Sequence, residues 1–165
     1  VALGIEDAGD LRVRLERMQT RIAALMPQAR IDGLSLQAQE AGELEMIIGA
    51  QFDPQFGAQV IVGAGGVLVE LFKDVLVMPA PVDAASVRAA LDRLYIAPLL
   101  GAFRGRGALD SDAIVDAVVR LGWLAHDMAQ AAPGQDFEIE VNPLKVRLQG
   151  QGAVAVDARA RIGSV

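Results

Sequence analysis

The sequence contains no cysteine. Disulfides, thiolate metal sites and cysteine nucleophiles are therefore excluded. Basic residues are outnumbered, with 15 Lys and Arg against 21 Asp and Glu for a formal charge of −6. There is no basic stripe and no interleaving of aromatics, so no nucleic-acid partner is expected. Long apolar runs are missing as well. The longest uninterrupted apolar stretch, Val60 to Val69, contains three glycines and falls far short of the roughly 20 residues of a membrane-spanning helix. No membrane association is expected. The lack of a signal-like segment and of cysteine is compatible with the cytoplasm. Initiating methionine is also missing, since residue 1 is valine, and the chain is expected to be an excised part of a longer protein.

Aliphatic residues and alanine are what the chain has in surplus. Hydrophobic residues make up 53% of the 165, aromatics only 4%, above ordinary globular usage. The length suits one domain with a substantial core, and the surplus suggests apolar surface covered by a partner, a missing domain or a second copy of the chain.

Residues 8 to 25 place Leu11, Leu15, Met18, Ile22 and Leu25 at spacings of four and three, an amphipathic helix starting at Gly9-Asp10 and stopping at Pro27. From Ala29 the pattern turns strand-like. "ARIDGLSLQAQ" alternates Ile31, Leu34 and Leu36 imperfectly, and "ELEMIIGAQF" follows as a second strand. "DPQFG" is turn chemistry, and "AQVIVGAGGVLVELFKDV" reads as strand, glycine break, strand.

A second helix is expected in "PVDAASVRAALDRLY", with Asp83 as N-cap and Val87, Ala90, Leu91 and Leu94 facing inward. "IAPLLGAFRGRGALDSD" is a loop or short helix. "SDAIVDAVVRLGWLAHDMAQA" is a third helix capped by Ser111 or Asp112, with Trp123 in the core and the lone histidine, His126, at its surface or boundary. The class is α+β, with a mainly antiparallel or mixed sheet flanked by helices.

The last two strands, around "FEIEVNPLKV" and "GAVAVDARARI", meet through a turn in "LQGQG". If that loop centres on Gln149-Gly150, Glu138 faces Arg161, Glu140 faces Arg159 and Asn142 faces Asp157, all on one face because side chains alternate. The other face then carries Ile139, Val141, Val154, Val156, Ala158 and Ala160. A one-residue slip would put the arginines on the apolar side. Three hard oxygen ligands close together suit magnesium, and an arginine beside them suits phosphate. A solvated strand face with cross-strand ion pairs would give the same alternation, so both readings stand at this point.

Four segments in order, "ELEMIIGAQFDPQFGAQVIVGAGGVLVELFKDV", "LLGAFRGRG", "FEIEVNPLKV" and "AVDARARI", resemble the carboxy-terminal part of the ATP-grasp domain of nucleoside-diphosphate-forming acyl-CoA synthetases. This family includes acetate–CoA ligase (ADP-forming) and relatives of succinyl-CoA synthetase. The similarity covers nearly the whole chain, most specifically Asp53 to Asp74.

The resemblance implies a ligase that interconverts acyl-CoA, NDP and phosphate with carboxylate, CoA and NTP through acyl phosphate and phosphohistidine. It implies magnesium held by Glu140, Asn142 and Asp157. Glu45, Gly65, Gly66 and Glu70 match positions near the nucleotide (ATP/ADP) or phosphate path, with Arg159 a phosphate contact and Arg104 and Arg106 on a loop. Residues 1–165 would then be a single domain, the C-terminal lobe of an ATP-grasp domain. The N-terminal lobe, the CoA-binding domain and the histidine-bearing domain would lie in the rest of the same ligase, fused or as a subunit, and the lobe alone would be inactive. The competing expectation is a stand-alone interaction or assembly module that keeps the fold without the chemistry.

Overall fold

The computed structural model describes residues 1–66 and 73–163, which form two compact units, Val1–Gln39 and Glu40–Val165. In the first unit, α1 (Ala8–Leu25) covers the expected residues and starts one residue before Gly9-Asp10. Asp7 is the N-cap, and its carboxylate accepts from the N–H groups of Gly9 at 2.7 Å and Asp10 at 2.9 Å. Residues 30–42, expected to begin with a strand, form no regular structure, and Leu34 and Leu36 are exposed. Strand patterning without a neighbouring strand to receive its backbone hydrogen bonds does not make a strand.

The second unit is built on one antiparallel sheet. Its strands are β1 (Leu44–Asp53), β2 (Gly57–Ala64), β3 (Val75–Pro79), β4 (Phe137–Val146), β5 (Ala153–Ala155) and β6 (Ala158–Ile162), in the order β3-β2-β1-β4-β5 with β6 also on β4. The β1–β2 hairpin turns where the Asp53 carboxylate accepts from the N–H groups of Gln55 at 2.7 Å and Phe56 at 2.8 Å, which holds the tight loop closed.

Met46, Ile48 and Ala50 of β1 join Val60, Val62, Phe137, Leu144 and Val146 on one sheet face. Against it pack α2 (Ala84–Leu91) and α4 (Ser111–Ala131), with the short α3 (Ala97–Leu100) between them in sequence. Asp83 caps α2 through Ser86 N–H at 2.7 Å, and Val87, Ala90, Leu91 and Leu94 are buried as their spacing predicts.

Helix α4 is capped by Asp110 rather than Ser111 or Asp112. This buried carboxylate accepts from Ala113 N–H at 3.2 Å and also from Gly152 N–H at 2.8 Å. It therefore ties the helix start to the β4–β5 turn, a long-range bond that local cap rules do not see. Trp123 is on the outer face of α4, 53% exposed, not in the core. The inward stripe is filled by Ile114, Val115, Val118, Leu121 and Ala125, and Trp123 falls off that stripe. His126 is half-buried beside it, their rings edge to face at 5.8 Å.

The terminal hairpin has the expected register, with Glu138 opposite Arg161, Glu140 opposite Arg159 and Leu144 opposite Ala155. Its apolar face differs from the expectation. β1 slips by one residue against β4 between Met46 and Ile48, at Asn142-Pro143, and such a bulge swaps the side-chain parity of the strand beyond it. Leu144 and Val146 therefore join the core with Ala153, while Val154 pairs with Lys145 on the opposite face. Ala158 and Ala160 are exposed, since the helices pack on β1, β2 and β4 rather than on β6.

Candidate functional site

The face of the sheet opposite the helices carries the polar side chains singled out in the sequence. Alternation along β4 puts Glu138 and Glu140 there, because Phe137, Ile139 and Val141 face the core. Across the β4–β6 ladder, Arg159 Nη2 donates to Glu140 Oε2 at 3.0 Å, and Arg161 Nη2 lies 3.4 Å from Glu138 Oε2.

At the bulge, Asn142 N–H donates to the carbonyl of Asp157 at 3.0 Å, which sets the two residues side by side. Asn142 Nδ2 donates to Glu140 Oε1 at 3.3 Å, and its Oδ1 accepts from Gly66 N–H at 3.2 Å. Glu140, Asn142, Asp157 and Arg159 line one cleft of about 300 Å³.

The Gly65-Gly66 turn leaves β2 beside this cleft. Gly65 N–H donates to the carbonyl of Glu45 at 2.8 Å, and a Cβ on Gly65 would stand 2.6 Å from the Met46 carbonyl oxygen. Gly66 has φ of +58°, and a Cβ there would strike the Glu45 carboxylate. Only glycine permits this approach. Both N–H groups of the pair are spent inside the protein, so the turn holds the Asn142 amide at the cleft and ties itself to the backbone of Glu45.

The structure thus gathers Glu140, Asn142, Asp157 and Arg159 around the middle of β4, with Gly66 joined to them through Asn142 and with Gly65 and Glu45 next to Gly66. Glu70 lies outside the described residues. Arg104 and Arg106 do not line the cleft. Arg104 stacks over the Phe103 ring at 5.5 Å, and Arg106 donates to the carbonyl of Leu99, inside the tight turn that Phe103 and Arg106 close. His126 is on α4, across the sheet from Glu140.

One residue beside the site escapes sequence reasoning. Lys145 pairs with Glu45 across β4 and β1, its Nζ 3.6 Å from Glu45 Oε1 and 3.0 Å from the carbonyl of Glu40. The signal would have been the charge complementarity of Glu45 and Lys145, readable only once β1 and β4 are known to be neighbours. A larger concavity of about 410 Å³ lies between α2, α3 and the start of α4. Its buried acid, Asp110, is already used as a cap.

Among the described residues no three His, Cys, Asp or Glu side chains cluster as a metal site. A cation at the cleft would therefore rest on two carboxylates and one amide oxygen, leaving positions for water or ligand oxygens. An all-oxygen, incomplete donor set of this kind fits magnesium, which keeps waters and takes substrate phosphates. The Arg159 guanidinium alongside is suited to phosphate oxygens.

Residues 1–162 match a family model described as ATP-grasp domain. The chain belongs to the ATP-grasp domain family. It is 33% identical over 158 residues to a prokaryotic trans-feruloyl-CoA synthase, covering 96% of this chain and 22% of that protein. It is 32% identical to the acetate–CoA ligase (ADP-forming) II subunit beta of Pyrococcus furiosus, covering 96% of this chain and 66% of that subunit.

Its fold matches a chain of the dinucleotide-forming acetyl-coenzyme A synthetase 1 of Ca. Korarchaeum cryptofilum, solved in complex with coenzyme A and Mg-AMPPCP. That likeness has a TM-score of 0.77 at 28% identity, over 98% of this chain and 67% of the other. The chain thus spans between about a fifth and two thirds of the length of these relatives. The α+β class and the antiparallel sheet flanked by helices agree with the ATP-grasp fold expected from the sequence.

Proposed function

We propose that this chain is the C-terminal lobe of an ATP-grasp domain in a nucleoside-diphosphate-forming acyl-CoA synthetase working in the cytoplasm. The enzyme would convert acyl-CoA, phosphate and NDP to carboxylate, CoA and NTP, and the reverse, by way of acyl phosphate and a phosphohistidine. The phosphohistidine, the CoA site and the other nucleotide lobe belong to the remaining domains or subunit, so this lobe alone turns nothing over.

One observation carries the reading. Glu140, Asn142, Asp157 and Arg159, chosen from sequence positions up to 19 residues apart, line a single cleft beside a glycine turn, in a fold whose neighbours are acyl-CoA synthetases. The Glu140 and Asp157 carboxylates and Asn142 Oδ1 would hold magnesium, and Arg159 would meet the transferred phosphoryl oxygens. Bound magnesium supplies charge neutralisation to phosphoryl oxygens in flight. In the cation-free protein Gly66 N–H holds the Asn142 oxygen toward the turn while Nδ2 faces Glu140, so Asn142 Oδ1 meets a cation shared with Glu140 once the amide turns over; Lys145 pairs with Glu45 on the neighbouring strand.

Chemistry of this kind depends on positioning. In the natural full-length protein, ATP formation from ADP, phosphate and a panel of acyl-CoA thioesters should fall by about 100-fold on Asp157→Asn, with the variant folded. Turnover of the variant at the wild-type rate would remove Asp157 from the metal site, and absence of ATP formation with every thioester would remove the ligase.

A further inference from the structure

The Glu140 carboxylate, assigned above to the metal, has both oxygens occupied by protein donors: Oε2 by Arg159 Nη2 at 3.0 Å and Oε1 by Asn142 Nδ2 at 3.3 Å. Each oxygen keeps a second lone pair, but a cation that takes it must stand against the positive end of these donors, above all the guanidinium charge. The two partners differ in how they are held. The Asn142 amide is held at its other end by Gly66 N–H and lies on a strand shared with Glu140, so it can turn over but cannot leave the site. Arg159 is on edge strand β6, its side chain 74% exposed against 29% for Glu140. The carboxylate is seated in the cleft while the guanidinium sits on the rim, on a long flexible stem that is mostly in solvent and loses little packing when it turns away. An exposed pair of this type shifts an equilibrium by no more than about fivefold.

We propose that Arg159 is an exchangeable counter-ion. In the cation-free site it neutralises Glu140; on arrival of a divalent cation it releases that carboxylate and turns to the phosphates of the nucleotide. The proposal rests on the magnesium–nucleotide reading above. Asp157 is the entry point, because no protein donor among the described residues meets its exposed carboxylate, so a cation can land there before Glu140 is free. Guanidinium stays charged at every working pH, so until it moves it competes with the incoming ion for the charge of Glu140 and repels it.

The consequence is a pair of opposite effects from one substitution. Removing the charge frees Glu140 and lifts the repulsion, so a bare cation binds more tightly, by about threefold to tenfold for one unit charge some 5 Å from a divalent ion in screened water. It also removes the phosphate contact, so the cation–nucleotide complex binds less tightly, by about tenfold or more. A residue whose role is only to brace the hairpin would weaken both or neither.

The test uses the natural full-length protein with Mn2+ as the probe, free Mn2+ being read by its paramagnetic resonance signal, first alone and then with AMPPCP. Arg159→Gln should bind Mn2+ alone more tightly than wild type and Mn2+–AMPPCP less tightly. Arg159→Lys, which keeps the charge, should stay near wild type for Mn2+ alone. Arg161→Ala, one cross-strand pair along, should leave Mn2+ affinity unchanged and so controls for the hairpin.

Unchanged or weaker Mn2+ binding by Arg159→Gln, with wild-type binding abolished by Asp157→Asn, overturns the exchange and leaves the metal site standing. Wild-type protein that retains no Mn2+ with or without AMPPCP overturns the metal site and the exchange together.

Discussion

Gly65 and Gly66 are adjacent, yet alanine should act differently at each. A Cβ on Gly65 would stand 2.6 Å from the carbonyl oxygen of Met46 and 2.7 Å from its amide nitrogen. Met46 is fully buried in β1, between β2 and β4, so its backbone has nowhere to retreat. Forcing a methyl against it costs about 1–3 kcal/mol, and displacing the turn loses the 2.8 Å bond from Gly65 N–H to Glu45, about 1 kcal/mol more.

At about 2–4 °C per kcal/mol for a chain of this size, a total of about 2–4 kcal/mol means that Gly65→Ala should lower Tm by roughly 4–16 °C. Gly66→Ala meets only the end of the Glu45 side chain, which can swing aside, and has to adopt a φ of +58°. That costs about 1–2 kcal/mol, or roughly 2–8 °C. The displaced carboxylate and the shifted donor to Asn142 should instead appear as weakened cation–nucleotide binding. The assay is thermal unfolding of both variants alongside ligand titration. A Gly65→Ala protein that melts with wild type, or a Gly66→Ala protein less stable than Gly65→Ala, would refute the steric reasoning.

Asp110 should make stability acid-sensitive. The Gly152 N–H bond, with help from Ala113 and against the cost of burial, holds its carboxyl below the usual carboxylate range. Because the folded value is depressed, the stabilisation is full above the unfolded value of about 3.9 and is lost as pH falls through the folded one. Urea unfolding from pH 7 to 3 should show that loss in wild type and a flatter acid limb in Asp110→Asn. Asp110→Ala should cost about 1–2 kcal/mol at neutral pH. Trp123, the single tryptophan, should emit and be quenched like exposed indole, and its replacement by alanine should change stability by about 0.5 kcal/mol or less. Blue-shifted, unquenchable emission would contradict its position on the outer face of α4.

What the sequence shows of this fold depends on how local the determining contacts are. α2 is legible because Asp83 and the Val87-Ala90-Leu91-Leu94 stripe are decided within three turns of chain. The cap of α4 is not, because Ser111 and Asp112 are sound local candidates while Asp110 is selected by Gly152, 42 residues away. Trp123 misleads for a related reason. Large aromatics are usually buried, yet α4 fills its inner stripe with aliphatic side chains and has no room for an indole there. Residues 30–42 carry strand-like alternation, but a strand needs a neighbour, and no pattern within the segment supplies one.

The site is more legible than the fold around it, and the reason lies in the hairpin. With a turn at Gln149-Gly150, one arithmetic rule relates every residue of β4 to its partner on β5 and β6, and the structure keeps that rule on both sides of the bulge. Glu140 with Arg159, and Asn142 with Asp157, are therefore consequences of a local turn. Glu45, Gly66 and Lys145 are not, since they arrive through the β1–β4 pairing and a bulge at Asn142-Pro143 that breaks simple alternation. The same bulge makes the site usable. By swapping side-chain parity, it lets β4 bury Phe137, Ile139 and Val141 before it and Leu144 and Val146 after it. Asn142 is left between them, turned toward the cleft, with one amide group on Glu140 and the other on Gly66. A regular strand could not have buried both sets, because alternation puts Phe137, Ile139 and Val141 on one face and Leu144 and Val146 on the other; the bulge reconciles them and leaves Asn142 on the cleft side beside Glu140, where its amide would join the two carboxylates at a cation.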